Sequence, residues 1–210
     1  MAECVDAGRH PVVVRGLPTW DGYRTPPSRA DADRDPQLPD LVPLLVMAGI
    51  GVPMAFACMQ DGRLVQDVVA ADVPTPPAEG AQGRALELHI EAGFARFKPD
   101  HVGLYCIYND DRVGTILAPL HPDLIPADIA GPLSTARPKS LVKGTLDELD
   151  PASAIVERDD AFRVNYDLGY FEFDLTPEQQ SALDALTSIV ESSCRRVVLG
   201  PGEMVIWDNH

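Results

Sequence analysis

Apolar and polar positions divide the chain into short elements. "HPVVVRGLP" predicts a strand from Pro11 to Arg15, stopped by Gly16 and Pro18. "DLVPLLVMAGIG" predicts one short buried helix, with Asp40 as its N-cap and Gly49 as its stop. "GRLVQDVVAADVP" is strand-like. In "LELHIEAGF", Leu86, Leu88 and Ile90 share one face of a strand, and Glu87, His89 and Glu91 share the other. "HVGLYCIYN" and "VGTILAPL" predict two buried strands joined by the polar turn "NDDR"; "PADIAGPL" has helical spacing and "FRVNYD" reads as a strand. The clearest helix is "LTPEQQSALDALTSIVESSCRR". Thr176 caps it, Pro177 suits the first turn and Gln179 completes a capping box. Leu183, Leu186 and Val190 form its buried stripe, and Arg195 and Arg196 suit its negative end. "VVL", the turn "GPG" and the strand "EMVIW" follow.

Many short strands, few helices and a chain with 20 Pro and 16 Gly point to a mainly β protein, a sandwich or barrel with helical decoration. At 210 residues it has the size of one domain, and 45% hydrophobic residues suffice for a core. A proline- and aspartate-rich loop is expected from Pro18 to Asp40. Asp31, Asp33 and Asp35 imitate the start of a calcium loop, but Pro36 stands where its glycine belongs and Val42 where its glutamate belongs.

Charge narrows the partners. With 32 Asp+Glu against 17 Lys+Arg, the formal charge is −15, which disfavours nucleic acid and anionic membrane surfaces. No apolar run approaches the roughly 20 residues of a membrane span, and "MAECVDAGRH" lacks the features of a secretory signal. Cys4, Cys58, Cys106 and Cys194 form no C-x-x-C pair and read as reduced thiols, so a cytoplasmic location is expected. The sequence has no G-x-G-x-x-G, P-loop, G-x-S-x-G or H-E-x-x-H.

The candidate chemistry sits in "HIE". His89 and Glu91 are either two residues of a solvated strand face or a pair of metal ligands. Their context bears on this choice. "GRLVQDVV", "LELHIEAGFARFKPDHVGLYCIYND", "VGTILA", "DDAFRVNYD" and "LGPGEMVIWDN" occur in that order. The series resembles the clavaminate synthase-like branch of the iron(II)/2-oxoglutarate oxygenases, which includes amino-acid β- and γ-hydroxylases of antibiotic pathways. The likeness runs from about Val13 to Asn209.

The resemblance implies a double-stranded β-helix (jelly roll), a single domain over residues 1–210 with iron at one mouth. It implies Fe(II) held by His89 and Glu91, with 2-oxoglutarate and O2 as cosubstrates and a free or carrier-bound amino acid as substrate. Two histidines and one carboxylate leave open positions on such a metal. Thr115 in "GTILA" matches a threonine that touches 2-oxoglutarate; the residue alone reads equally as part of a buried strand. Asp167 in "NYD" matches an aspartate that receives the basic end of an arginine-like substrate, and Gln60 lies near a substrate-contacting glutamine. Asn165 stands where arginine hydroxylases carry an acid, against a strictly guanidinium-selective pocket.

In the family a third ligand, a histidine, comes a few residues beyond "DN", and an arginine for the distal carboxylate of 2-oxoglutarate follows. The sequence ends at His210. The expectation is therefore a jelly roll whose C-terminal part lies in a continuing reading frame. His210 as the third ligand, and a non-catalytic jelly-roll binding or scaffold protein, are the other readings. His101 and His121 read as ordinary surface or half-buried histidines.

Overall fold

The computed structural model describes residues 10–19, 38–57, 59–68, 87–141, 153–158, 162–169 and 171–210. Among these, β1 (Val12–Val14) and β2 (His101–Tyr105) flank β9 (Met204–Asp208). Next, β3 (Thr115–Leu117) pairs with β8 (Arg195–Val197), and β4 (Pro138–Leu141) with β7 (Phe171–Phe173). Innermost, β5 (Val156–Arg158) pairs with β6 (Phe162–Val164). Every pair is antiparallel. The pairs are nested like brackets: second with ninth, third with eighth, fourth with seventh, fifth with sixth. Among the described residues three α-helices decorate this arrangement: α1 (Leu38–Ala48), α2 (Ala127–Leu133) and α3 (Pro177–Ser193). No described helix is long and apolar enough to cross a membrane.

β9 organises one end of the molecule. It lies between two strands, in register Val12↔Ile206 on one side and Gly103↔Ile206 on the other. Met204 and Ile206 pack with Val46, Met47 and Ile50 near α1, while Val205 belongs to a separate cluster with Leu117 and Leu199. Burial of successive residues explains why "MVI" is a continuous apolar run rather than an alternating one.

The larger core gathers around α3. Its N-terminus carries the expected capping box, with Gln179 N–H donating to Thr176 Oγ1 and Thr176 N–H donating to Gln179 Oε1. Ala182, Leu183, Leu186 and Val190 are buried against Phe94, Leu133, Ile155 and Phe171. The two arginines lie beyond the helix, in β8. Only Arg195 serves the helix end, donating to the Cys194 carbonyl at 2.8 Å; Arg196 reaches the Arg112 carbonyl instead.

Other expectations change. Asp40 sits inside the first turn of α1 rather than at its cap, and Arg63 reaches its carboxylate. Residues 63–68 of the strand-like "GRLVQDVV" form a bent loop, closed by Gln60 and Asp67. The H-x-E segment makes a single bridge, His89 with Asp167, before turning at Glu91; it is no ladder strand. Ala92 takes φ +54, a turn conformation that ends strand pairing. Its alternation nevertheless persists, since Leu88 and Ile90 pack on the large core. β4, β5 and β7 form where the sequence shows no strand pattern. The aspartates of the calcium-like segment, Leu86, Cys4 and Cys58 lie outside the described residues; Cys106 and Cys194 are free thiols.

One turn has a sharp requirement. Gly202 takes φ +76, and a Cβ there would lie 2.7 Å from the Leu17 carbonyl oxygen. That same stretch is tied by Leu17 N–H to the Gly202 carbonyl and Gly202 N–H to the Cys106 carbonyl. Gly202→Ala is expected to cost about 1–3 kcal/mol, from left-handed backbone plus a main-chain collision. Gly131→Ala, where an added Cβ meets nothing within 4 Å of a helical site, should instead be neutral or stabilising by up to about 1 kcal/mol. Thermal melts of the two variants should move in opposite directions or differ by several degrees; equal melts would refute the strain argument.

Candidate metal centre

His89, Glu91 and Asp167 come together where the H-x-E segment crosses "NYD". The crossing is fixed by the His89–Asp167 bridge and by Ile90 N–H donating to the Tyr166 carbonyl at 2.6 Å. His89 Nδ1 lies 2.8 Å from the Glu87 carbonyl oxygen. A carbonyl can only accept, so Nδ1 carries the proton and Nε2 is the nitrogen presented outward. Nε2 stands 3.3 Å from Glu91 Oε2. The Glu91 hydrogen bond is the main cause that raises the His89 pKa to about 9, against the opposing effect of burial; the Glu87 carbonyl and the Asp167 charge add to the rise. Asp167 is itself buried, at 8% exposure.

The spacing of His89 and Glu91 is compatible with one divalent cation between them. Two donor atoms at right angles, each about 2.1 Å from one first-row ion, stand about 3 Å apart. The Nε2 and Oε2 atoms, 3.3 Å apart, stand close to that spacing. A histidine whose other nitrogen is held by a carbonyl is the usual arrangement for a metal ligand, because it fixes both tautomer and ring orientation. Among the described residues no group of three or more His, Cys, Asp or Glu side chains converges to hold a metal.

The remaining sequence candidates have other anchors. Thr115 is half-buried at the start of β3, opposite Val197. Gln60 takes φ +44 in a tight turn; its Nε2 donates to the Asp67 carbonyl and its Oε1 accepts from Asp67 N–H. Arg63 ties the same loop to Asp67 and to Asp40 on α1. His210 turns its Nε2 to Asp100 Oδ1 at 2.9 Å, which lowers the Asp100 carboxyl pKa. Asn165 is a structural amide: at 1% exposure it donates to the Ala154 carbonyl and Glu157 Oε1 and accepts from Lys98 Nζ. Burial lowers the Lys98 pKa. An aspartate could not make the two donations, which accounts for the asparagine in physical terms.

Asn209 has no counterpart among the sequence candidates. It holds the main chain of Glu91 with both ends of its amide, accepting from Glu91 N–H at 3.0 Å and donating to the Glu91 carbonyl at 2.9 Å. The one signal in the sequence is a polar residue directly after a core strand.

No family model matches the chain. It is 31% identical over 214 residues to L-asparagine oxygenase of Streptomyces coelicolor, covering 94% of this chain and 62% of that protein. It is 25% identical over 245 residues to enduracididine beta-hydroxylase of Streptomyces hygroscopicus, covering 95% and 68%. The crystal structure of the non-heme iron oxygenase OrfP with Fe, succinate and (3S)-hydroxy-L-Arg superposes with a TM-score of 0.80 at 25% identity, covering 100% of this chain and 69% of OrfP. The OrfP complex with Fe and alpha-ketoglutaric acid gives 0.79 at 25% identity, with the same coverage. The chain is similar in sequence to these two amino-acid oxygenases and in fold to the non-heme iron oxygenase OrfP. It spans less than two thirds of the length of the asparagine oxygenase it matches, and it has the iron-oxygenase fold.

Proposed function

We propose that these residues belong to an Fe(II)/2-oxoglutarate-dependent oxygenase that hydroxylates a free or carrier-bound amino acid in specialised-metabolite biosynthesis. The observation that carries the reading is the His89–Glu91 pair, with Nδ1 held by Glu87 so that Nε2 faces the carboxylate. The likeness to an asparagine oxygenase and an enduracididine hydroxylase supports an amino acid as substrate. The nested antiparallel strand pairs support a jelly roll, since that fold is a long hairpin rolled on itself. On this reading residues 1–210 are part of one jelly-roll domain in the cytoplasm.

Each residue then has a role. His89 and Glu91 hold the iron. Thr115 contributes a hydroxyl toward the 2-oxoglutarate carboxylate. Asp167, buried beside His89, receives the polar end of the amino acid. Gln60 closes the loop of residues 60–67 beside α1, and bears on the substrate through that loop. Bound iron with O2 and 2-oxoglutarate supplies the oxidising chemistry, yielding succinate, CO2 and a hydroxylated C–H. The protein contributes orientation, a fixed histidine tautomer and exclusion of competing reactions.

Full-length protein supplied with Fe(II) and 2-oxoglutarate is expected to release succinate, faster in the presence of its amino acid. A panel of amino acids should identify that substrate by a mass gain of one oxygen atom. No succinate, coupled or uncoupled, would refute the oxygenase reading.

A further inference from the structure

We propose that Asn209 is a positioning residue that sets the orientation of Glu91 toward the metal; this rests on the reading of His89 and Glu91 as ligands. Asn209 is 1% exposed and follows β9 directly. Its Oδ1 accepts from Glu91 N–H at 3.0 Å, and its Nδ2 donates to the carbonyls of Glu91 and Pro99, each at 2.9 Å. Its own N–H donates to the Asp100 carbonyl at 2.8 Å. Both N–H groups and the carbonyl of the amide are thus engaged, with no donor left for a ligand. An amide suits this place because it donates to carbonyls and accepts from an N–H at once.

The consequence lies in what restrains the carboxylate. The Glu91 side chain is 41% exposed, and His89 is its partner at 3.3 Å. Solvent-facing carboxylates have little packing to aim them, so the aim of Glu91 comes from its main chain. Two clamps from distant parts of the sequence fix that main chain: Tyr166 on Ile90, and Asn209 on both polar groups of Glu91. Ala92 at φ +54 turns the chain away immediately afterwards. Removing the amide frees the peptides on either side of Glu91 and takes a partner from three half-buried main-chain groups, the Glu91 N–H and the Glu91 and Pro99 carbonyls. A ligand held by a loosened turn binds metal less well.

The test uses the full-length protein and Mn(II), followed by calorimetry and by the Mn(II) electron paramagnetic resonance line shape. Asn209→Ala is expected to weaken Mn(II) binding about 10–100-fold, the usual loss when a group supporting a metal ligand is removed, and to broaden the spectrum. Should the alanine variant not fold, Asn209→Asp decides, since it keeps the volume and the Glu91 N–H bond but loses both donations. Leu199→Ala, in a separate apolar cluster, should lower Tm while leaving Mn(II) affinity within about twofold, as expected of a distant site. Asn209 variants that melt lower but bind Mn(II) like the unsubstituted protein would overturn the assignment alone. No Mn(II) binding by the unsubstituted protein, or binding unaffected by His89→Ala, would overturn the ligand reading and the assignment with it.

Discussion

Replacing His89 by alanine is expected to reduce both Mn(II) affinity and succinate release of the full-length protein by more than about 100-fold. Altering mere supporting groups around a metal already costs 10–100-fold, and alanine deletes a ligand atom outright. Among the described residues no group of three or more His, Cys, Asp or Glu side chains converges there to replace the imidazole. Glu91 would remain as one carboxylate facing solvent, and His210 is engaged with Asp100. The loss should not reflect unfolding. The His89 side chain is 27% exposed and makes polar rather than core contacts, so thermal melts should move by only a few degrees. Glu91→Gln, which keeps the shape and removes the charge, should also weaken the metal. A folded His89→Ala protein with unchanged Mn(II) affinity would exclude the pair as ligands.

Phe94→Ala is expected to be the most damaging core truncation. Phe94 is fully buried three residues after Glu91, with ring centroids 4.7 Å from Phe171 and 5.5 Å from Phe173. Those contacts join the H-x-E turn to β7 and the core under α3. Deleting a buried aromatic ring costs about 3–5 kcal/mol through lost transfer energy and the cavity left behind. For a domain of this size each kcal/mol moves Tm by about 2–4 °C, so a fall of about 6–20 °C is expected. Phe97→Ala is the control: that ring is 67% exposed, and its loss should stay within about 0.5 kcal/mol. Equal melts for the two variants would show that the cluster is not the core described.

By itself the sequence determined what depends on neighbours a few residues apart. The capping box of α3 and its stripe of Leu183, Leu186 and Val190 were legible because both repeat within one or two helical turns. β9 was legible as an apolar run between turn residues, and the H-x-E pair because the two side chains lie two positions apart. The resemblance drew on the same local stretches, in their order along the chain. Tertiary structure decided the rest, because the partners are far away in sequence. β4, β5 and β7 have only three or four residues each, too few for a period, and exist because antiparallel neighbours complete their hydrogen bonds. "GRLVQDVV" reads as a strand by composition, yet the Gln60 amide and Arg63 bend residues 63–68 into a loop. Asn165 reads as a pocket residue until Lys98, 67 positions away, claims its carbonyl. The aim of Glu91 depends on Asn209, 118 positions later. No window of sequence spans that distance, and only folding sets the two main chains within hydrogen-bond reach.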